Sequence, residues 1–230
     1  MAKIDFDCYS DIYNNITGDN VRFFSEDDLY FAKIKINIIH DIICYSPKRI
    51  LEFGAGVGRN IPFIKEYFPD TEIWATDISE KSAAKINERY PYVKTFILNG
   101  DELRMMGMYD LVLVSGVYHH ISPNIRSSVT KTIVSLMTEN ADLFVFEHNP
   151  YNLITRKLVD RCEYDKDAVL VNPKEMSTLL SEAGLNLIRK RFYLYFPPAL
   201  KMGWLERILY KVPLGGQYML QASKSNDFMC

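Results

Sequence analysis

Apolar positions along the chain alternate between two periods. Tyr30, Ile34, Ile38 and Ile42 step by four, which predicts a helical face running to about Ser46, where Pro47 stops it. Ile50-Leu51-Glu52-Phe53 follows as a short strand. Ile61, Ile64 and Phe68 then fall on one helical face, with Pro62 in the first turn, where a missing N–H costs little. Glu72 to Asp77, Lys94 to Leu98 and Tyr109 to Ser115 read as further strands. Ser79 is placed to cap the helix after the second of them. Ser122 and Pro123 open another helix, whose expected buried stripe is Ile125, Val129, Ile133 and Met137. Ala141 to Glu147 is a fifth strand. Asn172-Pro173 starts a helix that ends at Gly184, and Leu187 to Phe196 and Gln217 to Ala222 supply the last two strands. Seven strands alternating with helices predict an α/β fold with an open, mostly parallel sheet and helices on both faces.

Between the first strand and its helix lies Gly54-Ala55-Gly56-Val57-Gly58-Arg59-Asn60. A glycine-rich strand-to-helix turn lets backbone approach a ligand that side chains would block. The spacing is G-x-G-x-G, one residue shorter than the dinucleotide pattern, which weakens a nicotinamide dehydrogenase reading. Asp77 ends the second strand 19 residues past Gly58. An acid at about that distance accepts hydrogen bonds from ribose hydroxyls in nucleoside-binding α/β folds.

These four strand ends, from Ile50 to Ile121, resemble the class I S-adenosylmethionine (SAM)-dependent methyltransferases. The resemblance implies a Rossmann-like seven-stranded sheet whose last strand is antiparallel and inserted beside the sixth. It implies SAM as cofactor. Glu52, Gly54, Ala55, Gly56, Gly58 and Asn60 would surround its methionine part, and Asp77 and Ile78 its ribose. Asp101, Glu102 and Leu103 would face the adenine, with Ser115 at the end of the fourth strand. Cys8 to Tyr13 resembles the leading tyrosine segment of small-molecule methyltransferases, with Tyr13 folding over the cofactor carboxylate. A weaker resemblance, carried by Glu147 to Asn152 and Pro213 to Tyr218, is to bacterial methyltransferases associated with polysaccharide and cell-envelope glycan assembly.

Transfer from a sulfonium is an in-line displacement in which positioning supplies much of the acceleration. A hydroxyl acceptor also needs a general base, and His119, His120 and Glu147 are the catalytic candidates. The two adjacent histidines are expected to diverge, one toward the cofactor and one toward the acceptor. His148, Tyr151 and Arg156 are the substrate-facing candidates. O-methylation is favoured; N- or C-methylation of a small metabolite, or a SAM-binding module without catalysis, are the alternatives. No metal is expected, since Ser115-Gly116 stands where a catechol-type enzyme places an acid. Asn149-Pro150-Tyr151 lacks the second proline and the position of an adenine-methylating motif.

Composition changes little in this picture. The 230 residues suit one α/β domain, and nearly half are hydrophobic. Net charge is −2 with a pI near 6.1, which argues against nucleic-acid binding. The N-terminus lacks a signal-peptide layout and no apolar run has the length of a membrane span, so a cytoplasmic location is expected, with peripheral membrane contact in view. Cys8, Cys44, Cys162 and Cys230 are scattered and read as free thiols. Residues 1–46 form an N-terminal helical cap, 148–172 a lid, and 197–216 an inserted amphipathic segment. In the last, Leu200, Trp204, Leu205, Ile208 and Leu209 line one face beside Lys201, Arg207 and Lys211. The acceptor is a small molecule or a glycan, with a lipid-linked glycan in view.

Overall fold

The computed structural model describes residues 24, 25, 27, 29–97 and 108–225. Tyr13, Asp101, Glu102 and Leu103 lie outside them. A seven-stranded sheet has the order β3-β2-β1-β4-β5-β7-β6. Its strands are β1 (Arg49–Phe53), β2 (Glu72–Asp77), β3 (Lys94–Ile97), β4 (Tyr109–Ser115), β5 (Met137–His148), β6 (Asn186–Tyr193) and β7 (Gln217–Ser223). β1 pairs in parallel with β2 and β4, and β4 with β5. β7 is antiparallel to both β5 and β6 and lies between them, as the resemblance implied. The helices are α1 (Tyr30–Ile42), α2 (Ile61–Tyr67), α3 (Glu80–Arg89), α4 (Arg126–Ser135), α5 (Leu153–Arg161), α6 (Pro173–Glu182) and α7 (Gly203–Leu209).

The central strands are continuous apolar runs because both faces are covered. Leu111, Val112, Leu113 and Val114 of β4 are all buried. Alternate residues feed two cores. Leu51, Val112, Val114, Leu143 and Val145 face one, and Ile50, Leu111, Leu113, Phe144 and Phe146 the other. Ser79 caps α3 by accepting from Ser82 N, and Asn172 caps α6 by accepting from Lys174 N and Glu175 N. Gly184 has φ +88, the left-handed conformation that closes a helix.

Four expectations need correction. α1 buries Ala32, Ile36, Ile38 and Ile39, while Tyr30, Ile34 and Ile42 lie at its margin, so the buried stripe is rotated from the four-step line. Pro123–Ile125 is a 3₁₀ turn ahead of α4, Ser122 makes no side-chain cap, and Ile125 is 45% exposed. Met137 belongs to β5, which starts four residues before Ala141. Cys162 is a buried cysteine outside any disulfide, but Cys44 is disulfide-bonded, against the expectation of four free thiols. Among the described residues no helix is long and apolar enough to cross a membrane.

Candidate active site

The C-terminal ends of β1, β2, β4 and β5 carry the residues that the motifs singled out. Parallel sheets open their ligand crevice at that edge, where strand order reverses between β1 and β4. Gly54 N and Ala55 N donate to Thr76 O at 2.8 and 3.0 Å, tying the glycine loop to the end of β2. Gly54, Gly56 and Gly58 all have positive φ, +73°, +54° and +76°. Their surroundings differ. A Cβ on Gly54 would sit 2.5 Å from Val117 Cγ2, and one on Gly58 would sit 2.7 Å from Ile61 Cδ1. A Cβ on Gly56 would meet nothing within 4 Å. Gly54 and Gly58 therefore permit close packing, while Gly56 borders open space.

Two acids flank that space. Asp77 accepts from Gly56 N at 2.7 Å through Oδ2 and from Ser79 N at 2.9 Å through Oδ1. Ile78, next to it, is exposed. Glu52 is 2% exposed and accepts from Asn60 Nδ2 at 2.6 Å through Oε1. Its Oε2 is buried without a hydrogen-bond partner among the described residues. Burial raises the Glu52 carboxyl to about 7, against the opposing pull of Asn60 and Lys35. Lys35, from α1, donates to Ser115 Oγ at 2.7 Å. Burial lowers its ammonium to about 8, with Arg59 adding repulsion and Glu52 opposing. Sequence patterning gave no sign of Lys35, which reaches the site across 80 residues of chain.

The histidines form a second cluster. His119 ends in the 3₁₀ turn Tyr118–His120 after β4, and its Nδ1 lies 2.6 Å from Glu147 Oε2. Glu147 Oε1 accepts from Val117 N at 2.9 Å and Tyr118 N at 2.7 Å. Glu147 is thus a buried brace with three hydrogen bonds. Burial pulls the His119 imidazole down, but Glu147 and Asp165 outweigh it and leave it at about 10. Burial and the His119 charge together lower both His120 and His148 to about 4. The adjacent histidines do not diverge as expected. Their ring centroids are 4.2 Å apart, and both Nε2 atoms approach Asp165 Oδ1, at 3.6 Å from His119 and 3.4 Å from His120. The 3₁₀ turn is tight enough for both side chains to reach one carboxylate.

Asp165 arrives on the segment after α5, which was expected over the strand ends. Val169 N donates to His119 O at 2.7 Å. Arg126, 2% exposed, donates to Val169 O at 2.5 Å, Ile121 O at 3.0 Å and Glu175 Oε1 at 2.8 Å. Neither Asp165 nor Arg126 stood out in the sequence. His148 is partly buried, its ring 5.0 Å from that of His119. Tyr151 and Arg156 are exposed at the start of α5. Asn149 is fully buried and donates to Pro213 O and Gly215 O, so Asn149-Pro150-Tyr151 is a fold staple.

Comparison with known proteins bears on the fold that carries this edge of the sheet. Residues 51–143 match the model of a methyltransferase domain family. Those residues, about two fifths of the chain, are similar to a methyltransferase domain. Solved structures share its fold. A SAM-dependent methyltransferase from Archaeoglobus fulgidus superposes with TM-score 0.67 at 16% identity, over 88% of this chain and 96% of that one. An O-methyltransferase family protein from Burkholderia thailandensis gives 0.67 at 12% identity, over 95% of this chain and 60% of that one. The plantazolicin methyltransferase BamL gives 0.61 at 11% identity, over 96% of this chain and all of that one. A search of curated proteins found no match by sequence. Within the matched residues lie the glycine loop, Asp77 and the His119–His120 turn; His148, Tyr151, Arg156 and Asp165 lie beyond them.

Proposed function

We propose that the protein transfers the methyl group of SAM to an oxygen of a small molecule or glycan. The observation that carries this reading is the open space at Gly56, bordered by Asp77 and by the orphaned buried oxygen of Glu52. Those features fit SAM. Gly56 leaves room for the methionine part, and Glu52 Oε2 suits an ammonium donor. Asp77 is braced to receive ribose hydroxyls, and exposed Ile78 offers an apolar surface to the base. Bound SAM supplies an activated methyl on a positive sulfonium.

The chain's own residues then handle the acceptor. Glu147 is a positioning residue: it holds His119 and the turn after β4 in place. His148 is the proton acceptor we assign. Its ring is kept neutral near pH 7 and partly exposed beside the cluster. An oxygen acceptor is favoured over an amine because a hydroxyl must give up its proton as the methyl arrives, whereas an amine need only arrive unprotonated. Tyr151 and Arg156 line the approach at the start of α5.

The surface beside the site supports an acceptor presented on a lipid. The apolar stripe of the 197–216 segment is split in the structure. Leu205 and Leu209 are partly buried, but Trp204 is 63% and Ile208 66% exposed, with Leu200 also exposed. Leu153, Ile154 and Leu214 are exposed as well, and Asn152 Nδ2 donates to Leu214 O at 2.7 Å, joining the start of α5 to this segment. Lys201, Arg207, Lys211, Arg156 and Lys157 are exposed on the same elements. Apolar and basic side chains together suit an anionic interface. We place the protein in the cytoplasm at the membrane surface, since a charged sulfonium does not cross a bilayer unaided.

The test uses SAM labelled on the methyl group with lipid and aqueous fractions of cell extract. Label in the lipid fraction that His148→Ala abolishes, with cofactor binding intact, supports the proposal. Label confined to the aqueous fraction moves the acceptor into solution. No label in any fraction, with SAM bound, leaves a binding module and sinks the proposal.

A further inference from the structure

We infer that His119, His120 and Asp165 form a binding site for one divalent transition-metal ion such as zinc. Their ligand atoms all lie within 4.8 Å of one another. His119 Nε2 and His120 Nε2 are 3.6 and 3.4 Å from Asp165 Oδ1. Those separations are long for N–H···O hydrogen bonds, which centre at about 2.9–3.0 Å. They suit two ligands of one ion, since bonds of about 2.0–2.1 Å at tetrahedral angles put ligand atoms ~3.3–3.4 Å apart. Two imidazoles and a carboxylate are a borderline donor set that leaves coordination positions open, the pattern of a reactive rather than a purely structural site.

The surroundings match what such ligands need. Glu147 Oε2 stands 2.6 Å from His119 Nδ1. An incoming ion displaces the Nε2 proton of His119; the Nδ1 proton stays donated to Glu147, and Nε2 then presents its lone pair on the Asp165 side. A carboxylate behind a ligating histidine fixes tautomer and ring orientation in this way. Asp167 Oδ1 lies 3.7 Å from His120 Nδ1 in the corresponding place. The Asp165 segment is fastened by Val169 N to His119 O and by the buried Arg126 guanidinium to Val169 O. The three ligands are therefore held before any ion arrives. The lack of an acid at the end of β4 argued against a metal in the sequence; here the acid comes from the segment after α5. Use of the open positions to hold an acceptor oxygen rests on the methyl-transfer reading; the ion site does not.

The experiment titrates the metal-stripped full chain with Co²⁺, without SAM, following its visible ligand-field bands, and then displaces it with Zn²⁺. One equivalent is expected to bind. Asp165→Asn and His120→Ala should each weaken binding by about tenfold or more, with folding checked by circular dichroism. X-ray absorption of the zinc-loaded wild type needs no variant and should show two imidazoles with oxygen ligands. Absence of stoichiometric binding by the wild type, unchanged affinity in both folded variants, or a sulfur-containing ligand set would overturn the inference.

Discussion

Gly56→Ala separates the two uses of glycine in the loop. At φ +54° the new side chain enters a left-handed backbone, at a cost of about 1–2 kcal/mol. Nothing lies within 4 Å of its Cβ, so no packing cost is added. For a chain of this size that cost lowers Tm by about 2–8 °C. The protein should stay folded, with the methyl group standing in the space assigned to SAM. Gly54→Ala is the contrast. Its Cβ would come within 2.5 Å of Val117 Cγ2, so overpacking of about 1–3 kcal/mol is added to the backbone strain. Differential scanning calorimetry measures the first effect and titration with S-adenosylhomocysteine the second. A folded Gly56→Ala protein that binds S-adenosylhomocysteine as the wild type does would refute the assignment of that space to the cofactor.

Asp77→Ala removes a charged acceptor worth about 1.5–3 kcal/mol, so SAM affinity measured by calorimetry should fall by one to two factors of ten; an unchanged Kd would remove Asp77 from the ribose. Glu52 has a sign that can be checked. Its folded pKa of about 7 lies above the unfolded 4.5, so the folded state holds the extra proton between those values. Stability should therefore fall as pH rises from 4.5 to 7, by on the order of 3 kcal/mol. Glu52→Gln should raise Tm at pH 8, leave it nearly unchanged below pH 4.5, and weaken cofactor binding; equal Tm at pH 8 would contradict the buried, strained acid. Trp204→Ser with Ile208→Ser should reduce co-sedimentation with anionic vesicles at low salt while leaving SAM binding intact; wild-type protein that ignores such vesicles would move the acceptor into solution.

Local pattern carried the strands furthest. β2 and β4 were legible to the residue because buried apolar runs end at Asp77 and Ser115 in sharp polar edges. The start of β5 was hidden, since Thr138, Glu139 and Asn140 are not buried and break the apolar run. The antiparallel placement of β7 came from resemblance, as periodicity has no register. The glycine loop was legible because its positive φ angles favour glycine, and Asp77 because it closes the apolar run of β2. Lys35, Arg126 and Asp165 were not. They are charged side chains with no periodic signal, and their meaning comes from contacts made across long stretches of chain, such as Lys35 to Ser115. The histidine pair was legible as chemistry, but its convergence on Asp165 depends on a segment whose path no pattern dictates.

The most direct measurement is isothermal titration of the full chain with S-adenosylhomocysteine and, separately, with NADH. The glycine loop, Asp77 and Glu52 predict one S-adenosylhomocysteine per chain, lost in Gly56→Ala, and no heat from NADH. Stoichiometric NADH binding with no response to S-adenosylhomocysteine would contradict the account at its base.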